Sequence, residues 1–262
     1  MISKCQIAYL KLLIKRSPLL ILIFIVAIFF YGCKNEEEEP PDEWSRYNYT
    51  DPDWSPDGNL IIYEYGGNAY GTDTAGIFIF DLGDSTTRLL VQWNFLLGHA
   101  PDFSPDGEWV AFDANAVIWK IKIDGDSLIQ LTFDRRTFSP DWSPDGKRIT
   151  YDQSISTVTH QRGIYIMDAD GNNDHLIIEY ERCPVWSPDG SKIVYNGIYT
   201  ADTNGTNVNM IHEGGKNCAW SPDGSKIAFA MTAEGEGPRI WVINVDGSSL
   251  TQITGEWGDT PC

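Results

Sequence analysis

Five copies of a seven-residue phrase punctuate the chain and leave little choice of architecture. The first reads Pro52-Asp53-Trp54-Ser55-Pro56-Asp57-Gly58, and the second Pro101-Asp102-Phe103-Ser104-Pro105-Asp106-Gly107. The third runs Pro140-Asp141-Trp142-Ser143-Pro144-Asp145-Gly146, and the fourth Pro184-Val185-Trp186-Ser187-Pro188-Asp189-Gly190. The fifth is Cys218-Ala219-Trp220-Ser221-Pro222-Asp223-Gly224, and successive serines lie 49, 39, 44 and 34 residues apart. The part ending in Trp-Ser reads as a short strand. Ser-Pro-Asp-Gly reads as a tight hairpin turn, because Pro presets φ, Asp bonds local backbone and Gly accepts positive φ. A β-branched or aromatic strand follows each time, then a third strand, a second Gly turn and a fourth strand. Repeats of about 40 residues, each four antiparallel strands with an aromatic in the first, specify propeller blades. The fold class is all-β, with five complete repeats; Gly255 to Cys262 reads as the start of a sixth.

These phrases resemble the TolB-type, WD-like propeller repeat, and the resemblance covers about residues 47–262. It implies the fold, a six-bladed ring and a cell-envelope setting. The family's namesake carries an α/β domain before its propeller, for which residues 34–51 leave no room, so a role in the Tol–Pal system does not follow. Oligogalacturonate lyases share the repeat type and hold a transition metal through histidines. That makes a glycan-binding or glycan-cleaving propeller the alternative to a non-enzymatic interaction scaffold.

The N-terminus has its own grammar. Lys11, Lys15 and Arg16 precede the apolar run Leu19 to Phe30, whose 12 residues suit a signal peptide and fall short of a membrane span. Gly32-Cys33 follows at once and resembles the lipobox of bacterial lipoproteins, although Phe30 and Tyr31 are bulky for it; an uncleaved anchor helix is the other reading. On this basis residues 1–32 form a signal peptide, Cys33 the lipid attachment site, 33–46 an acidic tether and 47–262 the propeller. The run Glu36 to Glu39 reads as a solvated spacer, or as a signal resembling the surface-export signal of Bacteroidetes lipoproteins. The expected setting is the outer membrane, on its periplasmic or outer side, with other envelope proteins as partners. Net charge is −18, and −22 without the first 32 residues, which hold Lys4, Lys11, Lys15 and Arg16 and no acid. Such a body repels nucleic acid.

Function is expected where loops vary in length. Connections between second and third strands, and between blades, vary and share one face. That face carries His99, Arg135, Arg136, His160, Arg162, Arg182, His212, Lys216 and Arg239 among acids, so its charge is mixed. Asp53, Asp102 and Asp141 precede the motif aromatic in three successive blades. They read either as a seat for a hard cation such as Ca²⁺ or as carboxylates bonded to backbone; no other cofactor is indicated. The turn aspartates 57, 106, 145, 189 and 223 read as turn formers. Cys183, Cys218 and Cys262 start first strands in consecutive blades, as separate thiols or with one bridge between neighbours.

Overall fold

The computed structural model describes residues 49–66, 75–92, 98–133, 136–154, 161–232 and 238–254. They form five antiparallel four-stranded sheets, each in chain order. Blade 1 holds β1 (Tyr49–Trp54), β2 (Leu60–Tyr65), β3 (Gly76–Asp81) and β4 (Thr87–Gln92). Blade 2 holds β5 (Gly98–Phe103), β6 (Trp109–Ala114), β7 (Val117–Lys122) and β8 (Ile129–Gln130). Blade 3 holds β9 (Thr137–Trp142), β10 (Arg148–Gln153), β11 (Gly163–Asp168) and β12 (His175–Glu179). Blade 4 holds β13 (Val185–Trp186), β14 (Lys192–Tyr195), β15 (Tyr199–Asp202) and β16 (Asn209–Met210). Blade 5 holds β17 (Lys216–Trp220), β18 (Lys226–Thr232), β19 (Pro238–Asn244) and β20 (Thr251–Gln252). The segment read as the start of a sixth repeat lies outside the described residues, as do Cys33 and the N-terminal segments.

The repeated phrase builds the same turn five times. In blade 1 the Ser55 hydroxyl donates to Asp57 Oδ1 (2.6 Å) and accepts from Leu60 N–H (2.8 Å), while Gly58 N–H donates to Ser55 O (2.8 Å). Each buried serine hydroxyl thus closes its own hairpin. Neighbouring turns also tile: Cβ atoms built on Gly107, Gly146 and Gly190 would each lie 3.7 Å from the preceding blade's turn proline.

Between blades, the motif aromatic faces backwards. Phe103 joins a core with Ile62, Ile77 and Ile79 of blade 1, and Trp142 joins one with Ala111 and Ile118 of blade 2. Trp186 packs with Ile166 of blade 3. The inner blades are therefore buried on both faces; all of Val110 to Ala114 in β6 is buried. The end blades alternate instead. Ile62 is buried while Ile61 and Tyr63 beside it are partly exposed, and in blade 5 Ile227 and Phe229 alternate with partly exposed Ala228 and Ala230.

Gly163 opens β11 where backbones touch: a Cβ there would lie 2.2 Å from Ile178 O. Its cost is therefore steric and not conformational. Gly163→Ala should lower the melting temperature markedly. Gly58→Ala, with φ +71° but nothing within 4 Å, should lose only the roughly 1–2 kcal/mol of a left-handed L-residue. Equal melting of the two variants would contradict this packing.

Candidate functional site

The first strands carry a feature the motif did not announce. Three residues before each aromatic stands a non-glycine residue with positive φ: Asp51 (49°), Ala100 (51°), Ser139 (52°), Cys183 (54°) and Asn217 (55°). The register against the second strand slips in the same stretch, as between His99 and Asp102. This is a bulge, and it turns backbone N–H groups away from their own sheet. Carboxylates of the preceding blade collect them. Asp113 Oδ2 accepts from Ser139 N–H and Asp152 Oδ2 from Cys183 N–H, both at 3.2 Å. Glu64, Asp113 and Asp152 hold the same place in successive second strands, three residues after Ile61, Val110 and Ile149, and Asn196, just past the end of β14, follows Ile193 at the same spacing. That recurrence of polar side chains at a buried strand position was the signal available in the sequence.

Asp53, Asp102 and Asp141 form a second set of links. Asp53 Oδ2 accepts from Phe103 N–H (3.0 Å), Asp102 Oδ2 from Trp142 N–H (2.6 Å), and Asp141 Oδ2 from Trp186 N–H (2.7 Å). Each carboxylate thus ties its blade to the motif aromatic of the next. The Oδ2 atoms of these carboxylates serve backbone amides, and among the described residues no group of three or more His, Cys, Asp or Glu is arranged to hold a metal ion. Val185 and Ala219 end the series. Burial is the main force on their protonation. It raises Asp53 to about 6 and Asp141 to about 7, against the opposing pull of the amide bonds. Asp102 is pushed well up, by burial first and then by the charges of Asp141 and Asp53.

The residues expected on the variable-loop face meet there in part. Backbone bonds knit that face together: Ser154 N–H donates to Arg136 O (2.9 Å), Tyr180 N–H to Arg162 O (2.8 Å) and Asn196 N–H to Arg182 O (3.2 Å). Arg136, Arg182 and Lys216 are exposed, and Arg162, Arg239 and His212 partly so. The charges of Arg182 and Arg162 bear on Asp152, whose pKa burial nonetheless raises. The His212 ring sits 5.8 Å from Phe229. Arg135, His160 and the side chain of His99 lie outside the described residues. Cys183 and Cys218 are free thiols; Cys218 is buried with Sγ 3.8 Å from Tyr195 O, and Cys262 lies outside the described residues.

Five stacked sheets with backward-facing aromatics agree with the likeness of this chain to known proteins. The family described as "TolB beta propeller domain" matches residues 43–195. The chain belongs to the TolB β-propeller family. A crystal structure of TolB from Acinetobacter baumannii superposes with TM-score 0.69 at 24% identity, over 81% of this chain and 55% of that one. A putative TolB from Agrobacterium tumefaciens gives TM-score 0.66 at 23% identity, over 79% and 80% of the two chains. An oligogalacturonate lyase in complex with manganese gives 0.60 at 14% identity, over 79% and 65%. These likenesses show the fold. In sequence, an uncharacterized protein of Agrobacterium fabrum, Atu1656, is 29% identical over 160 residues, 54% of this chain and 52% of that protein. This TolB-family chain thus spans about half the length of the curated relative it matches.

Proposed function

We propose that this chain is a cell-envelope lipoprotein, anchored through Cys33, whose propeller works as a protein–protein interaction scaffold at the outer membrane and not as an enzyme. The observation that carries the reading is the division of labour among the carboxylates. Aspartates 53, 102 and 141 of the first strands and the second-strand acids 113 and 152 are bonded to backbone amides of neighbouring blades, so their bonding holds the disc together. The variable-loop face is left with exposed cations of mixed setting on that rigid support, as binding surfaces are. The TolB relatives agree with an envelope setting.

Two variants test it. Cys33→Ser should move the protein from membranes to the soluble fraction and abolish fatty-acid labelling, since anchoring rests on acyl chains. Arg182→Glu with Lys216→Glu, both exposed, should cut recovery of envelope partners at least tenfold with unchanged melting. Unlabelled wild-type protein would refute the anchor; partners retained by the charge-reversed protein would refute the face.

A further inference from the structure

The residue that opens each second strand decides what covers the motif aromatic of the following blade. Leu60 packs on the core that contains Phe103, and Trp109 on the core that contains Trp142. Arg148 lays its guanidinium over Trp186, 4.9 Å from the ring centre. The fourth position is Lys192, and it behaves otherwise: its ammonium turns to Asp202 Oδ1 at 3.0 Å. Trp220 is accordingly only partly buried, where Trp142 and Trp186 are 7% and 5% exposed. At this seam a cleft of about 390 Å³ opens, lined by Trp220, Pro188, Pro222, Asp189, Asp223 and Lys192 among others.

We propose that this cleft between blades 4 and 5 binds a guanidinium group, and that its occupant is an arginine side chain of a partner polypeptide. The preceding seam shows the arrangement with the protein's own Arg148. Guanidinium is planar and weakly hydrated, so it stacks on an indole. Ammonium is a strongly hydrated point charge and takes a carboxylate instead. The strand partner is an aspartate in both blades, Asp168 opposite Arg148 and Asp202 opposite Lys192, so the difference lies in the cation. The cleft supplies charge as well as the ring. Hydrogen bonds from the turn hydroxyls hold Asp189 below the usual carboxylate range and Asp223 at about 2, so both stay ionised at neutral pH. The net charge of −18 further disfavours an anion. The volume lies within the ~300–1,000 Å³ of small-ligand sites and leaves room for backbone beside the side chain. The cleft lies on the short-turn face, opposite the interface proposed above, and does not depend on it.

The test is a titration of the full chain, labelled with ¹⁵N in tryptophan, following the Trp220 indole resonance assigned through Trp220→Phe. The peptide Gly-Arg-Gly should shift that resonance saturably. Gly-citrulline-Gly, isosteric but neutral, should not; Gly-Lys-Gly and free L-arginine should bind at least several-fold more weakly. Lys192→Arg should move the resonance without peptide and weaken Gly-Arg-Gly at least tenfold, because the slot is then filled from within. The proposal is overturned by an unresponsive Trp220, by equal binding of the citrulline or lysine peptide, or by unchanged affinity in Lys192→Arg. Equal affinity for free L-arginine overturns the polypeptide occupant.

Discussion

Trp142→Ala is expected to destabilise the propeller by about 3–5 kcal/mol, the usual loss for truncating a buried Trp, and to lower its melting temperature by on the order of 10 °C. The side chain is 7% exposed and sits in the core shared by blades 2 and 3 with Ile149, Ala111 and Ile118. Its removal leaves a void at a seam, and rigid strands on both sides cannot close it. The backbone bond from Trp142 N–H to Asp102 survives in the variant, so the loss reports packing alone. Trp54 is the internal control. It holds the same motif position in blade 1 but is partly exposed and has no described preceding blade to pack against. Trp54→Ala should therefore cost clearly less. Calorimetry of the two variants decides it; equal losses would mean that the motif aromatic does not act through the seam.

Stability should also increase as pH is lowered from about 8 towards about 5. The buried first-strand aspartates cause this. An aspartate at its ordinary 3.8 in the unfolded chain stands at about 6 for Asp53 and about 7 for Asp141 when folded, with Asp102 well raised too. Between those values the folded state binds more protons than the unfolded one. By linkage, stability then falls as pH rises from about 4 through about 7. A shift from 3.8 to about 6 corresponds to about 3 kcal/mol at most. The turn aspartates run the other way: Asp57, Asp106, Asp145, Asp189 and Asp223 are lowered by bonds from their serines. Their stabilisation is present above the unfolded pKa and is lost as pH falls below about 4. Asp102→Asn keeps an acceptor for Trp142 N–H and removes a buried charge. It should flatten the slope and raise stability near pH 8. Denaturation across pH measures both; a wild-type slope of opposite sign would contradict the assignment.

The architecture was legible because it is written five times. Ser-Pro-Asp-Gly specifies its turn through local bonds alone, and a recurring Trp among β-branched strands leaves one packing role. Asp53, Asp102 and Asp141 were visible as a series, but their partners were not. Whether Asp53 or Asp141 faces a cation or a backbone amide depends on the bulge three residues before the next aromatic. Non-glycine residues such as Ala100 and Ser139 carry no mark of positive φ. The second-strand acids Asp113 and Asp152 were missed because each looks like ordinary strand polarity until the blades are aligned. The cleft turns on a single exchange, Lys192 where blade 3 has Arg148, which reads as conservative in sequence and is not so beside an indole.

The proposed protein interface on the variable-loop face should be detectable in living cells. Site-specific photo-cross-linking in cells tests this, with the photoreactive residue placed in turn at Arg136, Arg182 and Lys216, and at Asp57 and Asp106, on the opposite face and away from the cleft between blades 4 and 5. Discrete cross-linked protein adducts are expected from the first three positions and none from the two turns. Adducts from the turns alone, or from no position, would contradict it.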